Sequence, residues 1–185
     1  MKQLPITQVG NELIRASCTP YTIKEITSYD IVKLLSKMKY TLQKVHGVGL
    51  AAPQVGIQKQ LFILRLFPTK YRPELPKIKT YAVFNPKIIK VGSNTNIDYE
   101  GCFSVANAGL FAKLVRPTNI TVSYFNEIGK QVTKELEGIE ARIFLHEFDH
   151  LLGKVFLDHS PDVKTFMSAN EYKLMRAKKT GNSTT

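Results

Sequence analysis

Two histidines and a glutamate in the second half of the chain form the pattern H-E-x-x-H, as His146, Glu147 and His150. In a helix, residues four apart lie on one face, so both imidazoles could hold one metal ion while Glu147 reaches the same cleft as a proton carrier. Alternatively, the histidines of a buried helix could simply satisfy hydrogen bonds in the core. Because two of the four histidines in the chain fall at this spacing around a glutamate, the pattern favours a metal site.

The residues around this pattern predict the helix itself. Gly138 precedes the helix, and Gly153 follows it as a stop signal. Between the two glycines, apolar side chains recur at helical spacing. They are Ile139, Ile143, Phe144, Leu151 and Leu152.

A catalytic metal site of this kind takes three protein ligands and keeps one position open, so the two histidines need a partner. A metzincin protease would use a further histidine, but that position is Phe156, which cannot bind a metal. A thermolysin-like protease would use a downstream glutamate, and Glu171 has a tolerable spacing, although its basic surroundings favour a surface residue. The third candidate is Cys102, whose thiolate is a strong ligand for zinc or iron and which lies in a glycine-flanked, strand-like stretch.

Length and composition predict one globular domain spanning residues 1–185. The 185 residues are 43% hydrophobic and 22% charged, which is sufficient for a core. The formal net charge of +11 draws the surface towards polyanions such as nucleic acid, ribosomes or anionic membranes. Charge alone names no partner.

The two cysteines, Cys18 and Cys102, indicate the compartment. If one of them binds a metal, no pair remains for a structural disulfide, which implies a reducing environment. The first residues lack the apolar core of a signal peptide and the Arg and Ser content of a transit peptide, and no apolar run is long enough to span a membrane. We therefore expect a cytoplasmic protein; an organellar protein whose presequence has been removed would show the same pattern.

Local patterns predict strands in the middle of the chain and helices at its ends. Ser28 and Asp30 can cap a helix that continues to Val45 with a regular apolar stripe. A loop of small residues follows at 46–56, where a ligand could lie against the backbone. The predicted strands are residues 60–66, 81–91 with a break at Asn85 and Pro86, 112–115, 119–125 and 131–137, with an exposed turn at 93–96 and a hairpin turn at 127–130.

The segment after Pro161 is loosely amphipathic and basic, which predicts a C-terminal helix. Residues from about 180 to 185 are expected to form a disordered tail. The basic charge could bring this segment into contact with ribosomal RNA, and a merely solvated helix explains it equally well.

Three motifs of the chain, in order, resemble those of the peptide deformylase family. They are Gly47-Val48-Gly49-Leu50-Ala51-Ala52-Pro53-Gln54, Glu100-Gly101-Cys102-Phe103-Ser104 and His146-Glu147-Phe148-Asp149-His150. H-E-x-x-H alone is moderately specific, whereas the three motifs together are highly specific, and the resemblance extends to about Asp158. Two departures from the family pattern concern substrate specificity. Leu145 stands where the family usually has Gln. The stretch 106–111 is slightly longer than in typical bacterial members and lacks an arginine often found there.

We predict an α+β domain in which antiparallel sheets surround a central H-E-x-x-H metal-binding helix, with a C-terminal helix. The resemblance implies an enzyme that removes the formyl group from the N-terminal formylmethionine of nascent polypeptides and releases formate. Cys102, His146 and His150 are the expected metal ligands. A metal-bound water would attack the formyl carbon, with Glu147 acting first as general base and then as general acid.

Further residues of the chemical site take their roles from the family pattern. The side-chain amide of Gln54 and the backbone N–H of Phe103 are the expected donors to the tetrahedral oxyanion; on its own, Gln54 could merely close its loop. Glu100 is expected to be a buried hydrogen-bonding partner near the metal, and Asp149 to orient a ligand or to cap local backbone.

The resemblance also assigns the substrate-binding residues. Val48 and Gly49 are expected to pair with the substrate backbone as an added strand, which would tolerate many sequences. Ile139 and Ile143 match positions that line a methionine pocket. Arg142, beside them, is interpreted as a solvated helix residue rather than a contact at the rim of that pocket.

The ligands alone do not name the metal. A thiolate and two imidazoles suit Zn2+ by affinity, whereas the resemblance implies Fe2+ as the working ion, with Zn2+, Ni2+ or Co2+ as bound substitutes. The expected partners are N-formylmethionyl nascent peptides, without DNA or a membrane. Two rival hypotheses remain: a small zinc endopeptidase that uses Glu171, and an inactive relative retained as a ribosome-binding module, against which the intact catalytic positions argue.

Overall fold

The computed structural model describes residues 1–69, 72–159 and 162–179, and within them four α-helices and eight strands. None of the helices in these ranges is both long and apolar enough to cross a membrane. The tail at about 180–185, predicted to be disordered, lies outside the described residues. In chain order the elements are α1 (Ile23–Ile26), α2 (Tyr29–Lys44), β1 (Gly49–Ala51), β2 (Leu61–Leu66), β3 (Ile78–Val91), β4 (Thr95–Gly101), β5 (Leu110–Pro117), β6 (Asn119–Phe125), β7 (Gln131–Glu137), α3 (Gly138–Leu151), β8 (Met167–Ser168) and α4 (Ala169–Lys179).

Helix α2 begins and ends within a residue of its predicted bounds. The side chain of Ser28 accepts a hydrogen bond from the backbone N–H of Ile31 at 3.4 Å, which satisfies a donor that has no partner inside the helix. Apolar side chains at helical spacing pack against β2 and β3, and burying each of them contributes about 1.5–3 kcal/mol. They are Ile31, Leu35, Met38 and Leu42.

The strands form two antiparallel sheets. The larger sheet has five strands in the order β1-β2-β3-β6-β7, and the smaller has three in the order β4-β5-β8. Strand β1 lies at an edge, and among the described residues it pairs with β2 alone. The predicted α+β fold with antiparallel sheets and a C-terminal helix is therefore confirmed.

The prediction of a break in β3 at Asn85 and Pro86 is wrong, because the strand continues through them as a bulge. The register with β6 shifts between Phe84 and Lys87, and Asn85 has a φ of 48°. The Asn85 side chain accepts a hydrogen bond from the backbone N–H of Tyr21 (2.8 Å) and donates one to its carbonyl (2.7 Å). Since proline lacks an N–H, a bulge is one of the few places in a sheet that accommodates it.

Three other elements have bounds that differ from the prediction. The turn expected at 93–96 is shorter, since β4 already begins at Thr95. The C-terminal helix starts only at Ala169, because β8 first pairs with β5. Strand β5 itself extends beyond the predicted 112–115 at both ends. Each difference lengthens the smaller sheet, whose pairing the local sequence pattern did not reveal.

Helix α3 carries the H-E-x-x-H pattern and contacts β1, β2, β6 and β7 of the larger sheet and β5 of the smaller one. Its apolar face packs in the core, where the ring of Phe144 lies edge-on to that of Phe62 at 5.0 Å between centroids. Gly153 follows the helix with a φ of 72°, and a Cβ there would lie 2.1 Å from the carbonyl oxygen of Arg15. Only glycine fits this position, so the predicted stop has both a conformational and a steric cause.

Candidate metal centre

Three side chains of the types that bind transition metals meet at one point. The thiol of Cys102 and one ring nitrogen each of His146 and His150 all lie within 4.8 Å of one another. Cys102 Sγ is 3.2 Å from His150 Nε2, and both residues are buried. Glu171, the alternative third ligand, is exposed at the beginning of α4. The fold therefore brings Cys102, and not Glu171, to the histidines.

The carboxylate of Glu100 orients His146. Its Oε2 lies 2.9 Å from Nδ1 of His146, which fixes the ring and directs Nε2 to a metal. The buried carboxylate also accepts two hydrogen bonds from Arg116, both of 3.0 Å, and one from Arg142, of 2.8 Å. Burial alone would raise the pKa of Glu100, but its bonds to His146 and Arg116 outweigh burial and hold this pKa well below its usual range. As expected, Glu100 is a buried hydrogen-bonding partner.

Arg142 is buried, so the prediction that it is a solvated helix residue is wrong. Its side chain is 4% exposed, and besides Glu100 it donates to the carbonyl oxygen of Leu114 at 3.2 Å. Its other terminal nitrogen donates to the carbonyl (2.9 Å) and the side chain (2.6 Å) of Asn96. These acceptors belong to β4 and β5, whose position relative to α3 is not visible in a local pattern.

Arg116 is a second buried cation, which the sequence reasoning missed. Its Nη1 lies 2.8 Å from Oδ2 of Asp149, while the rest of the guanidinium binds Glu100. The same Asp149 oxygen is 3.0 Å from Nε2 of His159. The Asp149 carboxylate thus pairs with Arg116 and His159, partners that the sequence did not predict. Strand alternation offered a signal, because it places Arg116 on the buried face of β5, where a charge requires partners.

Glu147 lines a cavity together with Cys102 and His146 of the candidate metal site. The residue is buried, and its Oε2 has no hydrogen-bond partner among the described residues. Burial raises the pKa of the Glu147 carboxyl to about 7, close to the value at which a group both takes and returns protons efficiently. An unpartnered buried carboxylate next to a thiol and two imidazoles fits a site that holds a divalent metal.

Gln54 uses both ends of its side-chain amide. Its Oε1 accepts a hydrogen bond from the backbone N–H of Ala51 at 2.8 Å, which closes the loop. Its Nε2 lies 3.5 Å from the sulfur of Cys102 and 3.3 Å from the hydroxyl of Ser104. The amide therefore closes its loop and also places N–H groups at Cys102. Phe103, the other expected oxyanion donor, lines the same cavity.

The loop after the metal-binding cysteine is held in a strained conformation. Ala106, Asn107 and Ala108 have φ angles of 47°, 52° and 62°, in the left-handed region that costs non-glycine residues about 1–2 kcal/mol each. Gln8 stabilises the loop, because its Nε2 donates to the carbonyl of Phe103 (2.8 Å) and its Oε1 accepts from the N–H of Asn107 (3.1 Å). Sequence reasoning missed Gln8, whose partners lie 95 and 99 residues away.

This cavity has a volume of about 280 Å³ and opens at Cys102 and His146 of the candidate metal site. Val48 and Gly49, where β1 begins, line it, and so do Ile139 and Ile143 of α3. The four predicted substrate-binding residues therefore face one space.

The two departures from the family pattern lie differently with respect to this cavity. Ala108 and Phe111, within the unusual stretch 106–111, line it. Leu145, a residue of α3, is instead buried in the core and is not among the described residues that line the cavity. The structure therefore supports a contact with substrate for the loop, but not for Leu145.

Comparisons with known proteins return relatives of one kind. A family model described as polypeptide deformylase matches residues 3–166. The chain is 35% identical over 173 residues to a peptide deformylase of Hydrogenovibrio crunogenus, and the match covers 94% of this chain and 95% of that protein. It is also 35% identical over 179 residues to peptide deformylase 2 of Nostoc sp., covering 96% of this chain and 97% of that protein.

Solved structures give the same result. The chain resembles the Met-Ala-Ser-bound crystal structure of class I type b peptide deformylase from Acinetobacter baumannii, with a TM-score of 0.82 and 30% identity over 85% of this chain and 98% of that one. It also resembles the peptide deformylase of Thermotoga maritima, with a TM-score of 0.75 and 33% identity over 88% of this chain and 100% of that one.

Proposed function

Because this chain belongs to the polypeptide deformylase family, we propose that it removes the formyl group from the N-terminal formylmethionine of nascent polypeptides and releases formate. The observation that carries this proposal is the meeting of Cys102 with His146 and His150 around one point. The tripeptide Met-Ala-Ser bound to the A. baumannii relative supports a peptide that begins with methionine as the product. Like its relatives, the protein is a metal-dependent hydrolase.

Cys102, His146 and His150 are the residues that would hold the metal, with α3 as the metal-binding helix between the two sheets. When bound, the metal lowers the pKa of a coordinated water and polarises the formyl oxygen. A thiolate and two imidazoles fit zinc and iron alike. We propose Fe2+ as the working ion on the basis of the family, with Zn2+, Ni2+ or Co2+ as bound substitutes.

Glu147 is the proton carrier of this reaction. Its unpartnered Oε2 takes the proton of the attacking water and returns it to the departing amine, which would otherwise be a poor leaving group. When water attacks the formyl carbon, negative charge develops on the formyl oxygen. The side-chain N–H2 of Gln54 and the backbone N–H of Phe103 donate hydrogen bonds to this oxyanion. The anchored carbonyl end of Gln54 keeps its N–H2 in place without reorganisation.

The substrate would lie along the edge of the larger sheet. Val48 and Gly49 pair with its backbone, which the edge position of β1 permits. Ile139 and Ile143 bind the methionine side chain in the cavity. The choice of the first residue then depends on this pocket, while Val48 and Gly49 hold the peptide through backbone hydrogen bonds.

The wider context of the enzyme is part of the same proposal. We place it in the bacterial cytoplasm as one catalytic domain over residues 1–185. Exposed lysines on α4, such as Lys173, Lys178 and Lys179, suit a salt-dependent contact with ribosomal RNA. Neither DNA nor a membrane is a partner in this proposal.

The proposal is tested by anaerobic purification, metal analysis and assays on formyl-Met-Ala-Ser and acetyl-Met-Ala-Ser. We expect about one metal ion per chain, release of formate from the first peptide, and no comparable release of acetate from the second. The endopeptidase alternative is tested with Glu171→Ala, which should keep the metal and the activity. If the metal-loaded protein releases no formate under anaerobic conditions, the result would instead indicate an inactive relative that serves as a binding module.

Gly49 offers a separate test of the role of Glu147. A Cβ at position 49 would lie 2.2 Å from Glu147 Oε1, so Gly49→Ala must displace the carboxylate. We expect the rate of formate release to fall about 100-fold, the scale on which a misplacement of about 1 Å acts. Metal content and melting temperature, measured on the same preparation, should change little. A loss of metal or a large fall in melting temperature would show that Gly49 serves the fold and not the position of Glu147.

A further inference from the structure

Tyr172, on helix α4, lines the cavity although it lies beyond residue 166, where the family match ends. Its ring stacks on that of Phe111, with 4.2 Å between centroids and an interplanar angle of 6°. A third ring, that of Tyr99, meets Tyr172 edge-on at 5.9 Å. All three residues line the cavity and are partly buried. The C-terminal helix thus contributes an aromatic wall to the substrate cleft.

This wall is fixed in place before any substrate binds. Strand β8 pairs with β5 immediately before α4 begins, and the backbone N–H of Ala169 donates to the carbonyl of Gly109 at 3.0 Å. On α4 itself, Nε of Arg176 donates to the hydroxyl of Tyr172 at 3.2 Å, and its Nη2 lies 3.3 Å from both carboxylate oxygens of Asp98. A preorganised ring loses little conformational entropy on binding, so its contact contributes to affinity with little cost.

The position of Phe111 relates the wall to the reaction. A Cβ on Gly101 would lie 2.6 Å from the Phe111 ring, so this ring covers the backbone immediately before the metal-binding Cys102. Gly101 and Phe111 line the same cavity as Cys102, so a peptide whose formyl group lies at Cys102 and whose methionine enters the cavity would run along this backbone. The residues that meet Phe111 and Tyr172 are therefore those that follow the methionine.

The charges at the rim indicate which side chains the wall accepts. Arg72 also lines the cavity, but its guanidinium lies 3.3 Å from Asp98 and 3.3 Å from Glu74. Arg176 shares the same Asp98 carboxylate. Because these cations are paired with acids, the rim does not select acidic peptides despite the net charge of +11. The aromatic rings remain as the recognition surface.

We propose that Tyr172 and Phe111 form a subsite for an apolar or aromatic side chain at the second or third residue of the formylated peptide. This inference rests on the proposed deformylase function and extends it, because it makes α4 a determinant of sequence preference. Tyr172 acts on the bound peptide and not on the reacting atoms. Substitution of Tyr172 should therefore change KM more than kcat.

The kinetic test uses formyl-Met-Trp-Ser, formyl-Met-Ser-Trp and, as reference, formyl-Met-Ser-Ser. We expect the wild type to prefer at least one of the Trp peptides, and Tyr172→Ala to lower kcat/KM for that peptide about tenfold, the lower end of what an apolar contact contributes. The reference peptide should be unaffected. Tyr172→Phe keeps the stacked ring and should keep the preference. Tyr29→Ala, which removes an exposed tyrosine on α2, is the matched control and should behave as wild type.

A binding measurement tests the subsite without turnover. The chain contains no tryptophan, so the tryptophan fluorescence of the deformylated peptides Met-Trp-Ser and Met-Ser-Trp reports binding without a tryptophan signal from the protein. We expect Tyr172→Ala to weaken binding of the preferred peptide about tenfold. If the wild type releases no formate from any peptide, the proposed function fails, while this titration still tests the subsite. If Tyr172→Ala affects all peptides equally, or affects none, the proposed subsite is overturned.

Discussion

Glu147→Gln should lower the rate of formate release by about 10²–10⁴-fold and leave the metal bound, because it removes the proton carrier and keeps the shape of the side chain. Glu147 Oε2 has no hydrogen-bond partner among the described residues. Replacing this oxygen with an amide nitrogen therefore breaks no hydrogen bond that they make to it. The loss should therefore appear in kcat, not in KM or in metal content. Rapid formate detection at saturating peptide, with metal analysis of the same sample, measures both quantities.

Two comparisons make this result specific. Cys102→Ala removes a ligand, so it should lose both metal and activity, which separates a metal defect from a proton-transfer defect. Glu127→Gln replaces an exposed glutamate in the turn between β6 and β7 and should retain wild-type kinetics. A Glu147→Gln enzyme with an undiminished rate would mean that another group carries the proton.

Glu100→Ala should destabilise the fold by about 3–5 kcal/mol, the range observed when one partner of a buried ion pair is removed. The substitution leaves the guanidinium groups of Arg116 and Arg142 buried without the carboxylate that binds both. It also frees the His146 ring, so metal affinity should fall about 10–100-fold. Urea unfolding of metal-free protein measures the change in the free energy of unfolding, and competition with a chelator measures the change in metal affinity.

The pH dependence of stability gives an independent check on Glu100. Because its folded pKa is depressed, the stability that its charge contributes is present above the unfolded value of about 4.3 and is lost as the pH falls below it. The difference between wild type and Glu100→Gln should therefore be constant near pH 7 and shrink below about pH 4. Glu135→Ala, at an exposed position on β7, is the matched control and should show no such difference. Equal stability of wild type and Glu100→Ala at pH 7 would contradict the role of the buried network.

The parts of the fold and site that depend on local spacing were predictable from the sequence. His146 and His150 need only one helix to face the same point, and Gly138 and Gly153 mark the ends of that helix. Alternation and turn residues likewise predicted most of the strands. The third ligand was different, because spacing alone left Cys102 and Glu171 open, and the choice depended on a motif and on thiolate chemistry.

The features that were missed depend on contacts between distant segments. Arg142 looked like a solvated helix residue, because its acceptors at Glu100 and Asn96 are 42 and 46 residues away. Tyr172 was not singled out within the basic C-terminal segment, because nothing in the local sequence of α4 shows that it stacks on Phe111 of β5. A local pattern indicates which face of an element is apolar, but not which other element covers it.

The position of the leading segment has a consequence for synthesis on the ribosome. Gln8 supports the loop at Phe103, the N–H of Cys18 donates to the carbonyl of Leu151 at 2.9 Å, and Arg15 pairs with Asp158, 143 residues away. These residues leave the ribosome well before their partners, which lie 95 to 143 residues further along the chain. Folding therefore cannot follow the order of translation, and long-range closure of this kind is slow. We expect the leading segment of each new copy to complete these contacts only after Asp158 has been synthesised.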